Sequence, residues 1–281
     1  MAKQQGKAQQ GGKKILILGA SGFLGNAIYK ELCNYFDTYG TFFTAKTYRE
    51  NQQFFQYSLE DDDVFELLET IRPQIIISAL RGNFAAQIQA HEHMVEFIAE
   101  NECKLYFLSS ANVFDAYSKY PSYEYDKTLS ESVYGRLKIK IENMLLRLPK
   151  QKMGILRIPM VFGNGSPRVK EIKNNIWKNE PVEVFPNLIM NVTHVDKLTQ
   201  QIHYLINRHK SGIYHLGSTD LVHHEDFIRE IVGRIGNFNP IYKRVFTTNE
   251  ERYMAVLPKE NKLPKNLQAT FQEIIDHHIL N

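Results

Sequence analysis

The sequence predicts an α/β fold, a doubly wound parallel sheet followed by a small C-terminal α/β lobe, on three observations. Short β-like runs alternate with helical patterns through roughly the first 160 residues, as successive βα units do. The apolar runs "ILIL" and "IIIS" show no polar alternation. Strands of that kind are covered on both faces, which favours a parallel sheet between two helix layers. A turn with three glycines, "GASGFLG" at 19–25, joins the first run to a helix pattern.

Taken in order, strand-like runs occupy 13–20, 41–46, 74–80, 104–110 and 154–163. Helix patterns fall between them at 22–36, 61–71, 84–101 and 134–148. Beyond 163 the pattern loosens. Residues 193–209 read as an amphipathic helix, 212–218 as a strand and 224–236 as a further helix, before a loop-rich tail with Pro240, Pro258 and Pro264. The expected division is a disordered leader over 1–12, a Rossmann-type dinucleotide-binding domain over 13–163, and a smaller, interleaved substrate lobe over 164–281.

Composition narrows the function classes. The chain has 281 residues, is 43% hydrophobic and 23% charged, and carries a net charge of +3. Its first fourteen residues hold four lysines and no acid, but no arginine cluster or interleaved aromatics, so nucleic-acid binding is not expected. Cys33 and Cys103 both fall in apolar stretches, so two buried free thiols and a cytoplasmic setting are expected. No apolar run approaches a membrane span, and no membrane partner is expected.

The glycine turn admits two readings. A strand that ends in glycines and feeds a helix aims free backbone N–H groups at one spot, where the helix dipole favours a pyrophosphate. Gly19 would permit the turn, Gly22 would let backbone approach the phosphates, and Gly25 would let strand and helix pack closely. Tight βα turns also collect glycine for steric reasons alone. About 20 residues on, where an NAD site places an acid, the sequence has Lys46 and Arg49. These cations would suit a 2′-phosphate, so NADP(H) is the expected cofactor, with NAD(H) possible; the alternative is a pair of solvated loop charges.

Tyr134 and Lys138 stand four apart in "VYGRLK" and share a helix face. A nearby ammonium brings a phenol closer to a useful acid–base range. The spacing alone is common. Upstream, "FLSSANVFD" ends a strand with Ser109 and Ser110, at the sheet edge where ligands of doubly wound folds sit.

"GASGFLG", "SSANVFD" and "YGRLK", in this order, resemble the extended short-chain dehydrogenase/reductases, the NAD-dependent epimerase/dehydratase superfamily. The chain is most similar to the dTDP-4-dehydrorhamnose reductase-like branch, with further matches in "PSYEYDKTLSESVYGRLK", "LRIPMVFG", "THVDKL" and "GIYHLGS". The resemblance implies hydride transfer to a keto group of a nucleotide-linked sugar, with Tyr134 as general acid. It makes Lys138 the residue that binds the nicotinamide ribose and lowers the tyrosine pKa, and Ser110 the residue that polarises the carbonyl. Asn112 and Val113 would join Ser110 at the substrate. Ser21, Phe23 and Leu24 would line the phosphates, Ser58 and Leu59 the adenine, and Ala79, Leu80 and Arg81 would flank the cofactor. The partner would be a small molecule, a sugar nucleotide or related carbonyl compound, and the protein a monomer or homodimer.

Two positions depart from the family pattern. His91 falls about where an Asn is usual, in a shortened helix, and Leu257-Pro258 replaces an Arg-Pro of the substrate loop. A catalytically weak or inactive NADP-binding regulatory protein of the same fold is therefore the alternative. The ten histidines include "HEH" and "HHED", but neither offers an i,i+4 pair for a metal and none is expected. His194, Trp177 and Phe185 are expected to serve packing.

Overall fold

The computed structural model describes residues 12–117, 119–236 and 238–276, so the leader expected over 1–12 lies outside the described residues save for its last position. The chain opens with β1 (Lys14–Leu18), α1 (Phe23–Leu32), β2 (Asp37–Phe42), β3 (Phe54–Gln56) and α2 (Val64–Ile71), the last capped by Asp63. There follow β4 (Ile75–Ser78), α3 (Phe84–Glu100), capped by Asn83, and β5 (Lys104–Ser110). Ser132 caps α4 (Val133–Leu145), and β6 (Met153–Ile158) leads into β7 (Met160–Phe162). Ser166 and Pro167 start α5 (Pro167–Trp177). The remainder comprises β8 (Val182–Val184), β9 (Leu188–Met190), β10 (Val192–His194), α6 (Val195–Asn207), β11 (Gly212–His215), β12 (Val222–His223), α7 (His224–Ile235), β13 (Tyr242–Arg244), β14 (Arg252–Met254) and α8 (Phe271–Asp276).

Seven parallel strands form the central sheet, in the order β11-β6-β5-β4-β1-β2-β3. Two separate cores cover its faces. Leu68, Met94, Phe97, Ile141 and Leu145 seal one, and Ile28, Leu32, Leu198, Ile202 and Leu205 seal the other. The strand order reverses between β1 and β4, which opens a crevice beyond their C-terminal ends. A third core, around Phe162, Val184, Met190, Phe227 and Ile231, holds the lobe built on β8–β10, β12–β14, α5 and α7.

Several elements differ from expectation. The second strand is 37–42 rather than 41–46, since β2 starts in register at Lys14↔Asp37. Gly40 then fits where a Cβ would lie 2.6 Å from the Ala20 Cβ and 2.8 Å from the Phe54 ring. Its polar start hid it from a periodicity reading. The run 154–163 is two strands, not one, because Pro159 cannot donate to the ladder and β7 pairs instead with β10. β11 and α6, both beyond residue 163, belong to the central sheet and its helix layer. Cys103 is buried but Cys33 is exposed, just past the end of α1. Trp177 is 71% exposed at the end of α5 rather than packed. No helix among the described residues is long and apolar enough to cross a membrane.

Candidate active site

The glycine turn lies at the sheet's switch point, and its geometry demands glycine. Gly19 has φ +81°, and a Cβ there would sit 2.7 Å from the Ala79 carbonyl oxygen. At Gly25 a Cβ would be 2.2 Å from the Gly19 oxygen. Strand and helix therefore touch backbone to backbone. The Gly19 N–H donates to Thr41 Oγ1 (2.8 Å), and Gly22, the N-cap of α1, offers no side chain to the first-turn N–H groups. Those groups stay available to an anion.

Two cavities meet at this turn and share Gly22, Ala79, Leu80 and Arg81. The first, about 420 Å³, runs along β2 past Thr41, Phe43 and Tyr57 to Ser58, Leu59, Glu60 and Asp61. The second, about 280 Å³, takes Phe23, Leu24 and Gly25 on one side and Ser110, Tyr134 and Lys138 on the other. Ile158, Pro159 and Arg168 complete its wall. Predicted residues from five separate segments thus line one continuous crevice.

Lys46 and Arg49 are not among them. They are exposed on and after a 3-10 turn (Lys46–Tyr48) beyond the end of β2, outside the lining of both cavities. The strand's true end, four residues earlier than expected, puts Phe43 at the cavity wall. Asn112 also stays outside, but its backbone N–H and side chain hold the Ser110 hydroxyl (3.2 and 2.9 Å). Val113 has no surface to offer a substrate: it is fully buried against Ala111, Phe114 and Val256.

How α4 reaches this wall depends on residues that the sequence did not single out. A Cβ on Gly135 would meet Ser130 Oγ at 2.0 Å and the Asn112 carbonyl oxygen at 2.3 Å. Glycine there lets the first turn of α4 lie directly on the 111–114 turn, next to Ser110. Asp115 braces the cap by accepting from Ser132 Oγ and from the Glu131 N–H. The glycine in "YGRLK" was the only available signal for this contact.

The electrostatics follow from burial. Tyr134 is 42% exposed at the cleft. Desolvation raises its phenol above the ordinary value, with the Arg81 charge and the Ser110 hydroxyl pulling against it. Lys138 is 5% exposed; its ammonium donates to the Leu108 carbonyl (3.1 Å) and lies 4.6 Å from the Phe107 ring centre and 5.5 Å from that of Tyr134. Burial brings its pKa down to about 8; Glu142 opposes that fall and Arg81 adds to it. Among the described residues no carboxylate lines this cavity, whereas Arg81, Lys138 and Arg168 do.

His91 is sealed beneath β4. Its Nδ1 donates to the Gln87 carbonyl (2.6 Å) and its Nε2 accepts from Ser78 (2.9 Å), while burial lowers its pKa to about 3. It is neutral there. His93 turns outward to Asp63 (2.9 Å), so the two do not converge. Among the described residues no group of three possible metal ligands gathers. His194 caps α6 by accepting from the Asp196 N–H. Phe185 packs edge-on against His224, ring centres 5.0 Å apart.

A family model, the RmlD substrate binding domain, matches residues 13–274. Among solved structures, a dTDP-4-dehydrorhamnose reductase from Bacillus anthracis, in complex with NADP, superimposes with TM-score 0.76 at 21% identity. That match covers 96% of this chain and 99% of that one. A hypothetical dTDP-4-dehydrorhamnose reductase from Sulfolobus tokodaii gives 0.74 at 20% identity over 86% and 91%. At these identities the likeness is one of fold. Two curated relatives, methionine adenosyltransferase 2 subunit beta from Danio rerio and from Xenopus tropicalis, are 26% and 27% identical over 164 and 168 residues. Each match takes in 54% of this chain, and it spans about half of each relative, 49% and 48% of their length.

Proposed function

The chain belongs to the RmlD substrate-binding domain family, and on that premise we propose that it is an NADP(H)-dependent reductase or epimerase. Its substrate would carry a keto group on a nucleotide-linked sugar or a related carbonyl compound. The observation that carries the reading is the one cavity in which Ser110, Tyr134 and Lys138 face the glycine turn.

The residues present fit the cofactor, since the backbone cradle at Gly19 and Gly25 leaves no room for a Cβ and the α1 N-terminus is uncapped. Gly22, Phe23 and Leu24 would hold the diphosphate, Ser58 and Leu59 the adenosine end, and Ala79, Leu80 and Arg81 the middle. Lys138 would take the nicotinamide ribose. When bound, the nicotinamide supplies the redox chemistry. The protein's part is orientation and a proton: Ser110 polarises the carbonyl oxygen and Tyr134 protonates it. Lys138, with a pKa of about 8 and its ammonium 5.5 Å from the Tyr134 ring centre, would favour the phenolate left behind, alongside Arg81, whose charge already pulls the phenol down. The phosphorylated cofactor is supported by the Bacillus anthracis reductase, a complex with NADP; Lys46 and Arg49 follow β2 but lie outside the lining of both cavities. The lobe beyond residue 163 would close on the substrate, with β11 and α6 interleaved into the nucleotide domain.

Tyr134→Phe is expected to abolish turnover of a 4-keto sugar nucleotide while leaving the NADPH dissociation constant within about threefold. Unchanged turnover in that variant would sink the mechanism. In calorimetric titrations NADPH should bind more tightly than NADH; equal or tighter NADH binding ends the case for the phosphorylated cofactor. A second reading rests on the two curated relatives, each a subunit of methionine adenosyltransferase 2. It makes this chain a cofactor-binding subunit without turnover, and is favoured if wild type binds NADPH but oxidises none across a panel of keto-sugar nucleotides.

A further inference from the structure

Tyr134, Lys138 and Glu142 follow one another at intervals of four along α4 and share a helix face. The first two meet the cleft, whereas Glu142 is 1% exposed. Both its oxygens are taken. Oε1 accepts from Ser109 Oγ (2.5 Å) and Arg157 Nε (3.0 Å), and Oε2 from Arg157 Nη2 (2.7 Å). Ser109 directly precedes Ser110 on β5, and Arg157 stands opposite it on β6.

The connection continues past Arg157, itself 2% exposed. Its Nη1 donates to the Glu124 carbonyl (2.9 Å) and faces His215 Nε2 (3.4 Å). The Glu124 carboxylate in turn accepts the backbone N–H groups of Lys259 (3.0 Å), Glu260 (3.2 Å) and Asn261 (3.1 Å), and His215 Nδ1 donates to the Leu257 carbonyl (3.1 Å). One buried polar chain therefore links α4, β5 and β6 to the 257–261 loop, the segment in which Leu257 replaces the arginine the resemblance implies.

Stability alone does not call for such a pair, because well-packed apolar side chains of like volume serve as well or better. A bidentate carboxylate–guanidinium fork supplies geometry instead, fixing distance and plane together. We propose that Glu142 and Arg157 are positioning residues. With Ser109 they set the height of α4 over β5, and so the reach of Tyr134 and Lys138 to Ser110, and they hold the 257–261 loop on the same frame. This rests on Ser110, Tyr134 and Lys138 being the reacting set, and it names what places them. The Glu142 charge also acts on Lys138, sustaining its ammonium against burial.

The test follows Lys138 in the full chain by NMR of 13C-labelled lysine, with Lys138→Arg as assignment control. Glu142→Gln is expected to lower the Lys138 midpoint by about one pH unit, and Arg157→Lys, which keeps a cation against Glu142, to leave it near the wild-type value. Should Glu142→Gln not fold, Glu142→Gln with Arg157→Met leaves no lone buried charge and carries the same expectation. An unmoved midpoint in folded Glu142→Gln, or in the folded double variant, overturns the proposal. In turnover, positioning predicts a fall in kcat of about 10- to 100-fold in Glu142→Gln, with KM and NADPH affinity within about threefold. Unchanged kcat overturns it as well. A wild-type chain that binds NADPH without turnover defeats the enzyme reading, while the Lys138 titration still decides the positioning claim.

Discussion

At Gly25 a single methyl group would sit 2.2 Å from the Gly19 carbonyl oxygen and 2.9 Å from the Ala20 Cα. Neither neighbour is the end of a flexible side chain, so the turn itself must move. Gly25→Ala is expected to cost about 1–3 kcal/mol of stability and to weaken NADPH binding at least about tenfold, as read by chemical denaturation and calorimetry. Native affinity in a folded variant would remove the turn from the cofactor site. The glycine turn was legible in the sequence because Gly19, with φ +81°, and Gly25, packed on the Gly19 backbone, answer local backbone demands. Lys46 and Arg49 were less so. Their place depends on where β2 ends, and that is set by pairing with β1 and by the close approach of Gly40 to Ala20 and Phe54. Val113 was misplaced for the same kind of reason, since its neighbour Val256 is 143 positions away in the chain.

Among elements, α4 was legible as a helix because a cap, Ser132, precedes its periodic residues, and its predicted start fell within a residue of the observed one. What it packs against was not legible. Gly135 allows its first turn to rest on Asn112, and Asp115 braces the cap from across the turn. Gly135→Ala is therefore expected to destabilise the protein by about 1–3 kcal/mol. It should also reduce turnover far more than NADPH binding, because it lifts Tyr134 from Ser110 while the glycine turn stays in place. Equal losses in both would mean that the helix start positions the cofactor rather than the acid. The break at Pro159 has the same origin: a proline ends hydrogen bonding to the sheet, but only the lobe's β10 decides where β7 goes.

For the whole molecule, three of the buried histidines, His91, His215 and His224, make acid stability a sensitive readout. Burial lowers His91 to about 3, and His215 and His224 to about 4, so all three are neutral in the fold. The charge of Arg157 adds to the effect at His215, and that of Arg168 at His224. In the unfolded chain histidines protonate near pH ~6.5, so between about 6.5 and 4 the unfolded state binds more protons and stability falls as the pH drops. At pH 5 each histidine should cost on the order of 2 kcal/mol relative to pH 7.5, and Tm should fall by several degrees. A Tm that is flat over that range contradicts the buried neutral state. The sequence by itself determined the α/β class, the parallel strands, the glycine cradle and the Tyr134–Lys138 helix face, because these are local demands of backbone sterics and side-chain period. Only the tertiary structure decided that β11 completes the central sheet, that Lys46 and Arg49 stay clear of the cavities, and that Glu142, Arg157 and Glu124 tie α4 to the 257–261 loop. The pairing of β11 with β6 and the hold of Glu124 on Asn261 join residues far apart in the chain, and burial, not sequence spacing, selects them.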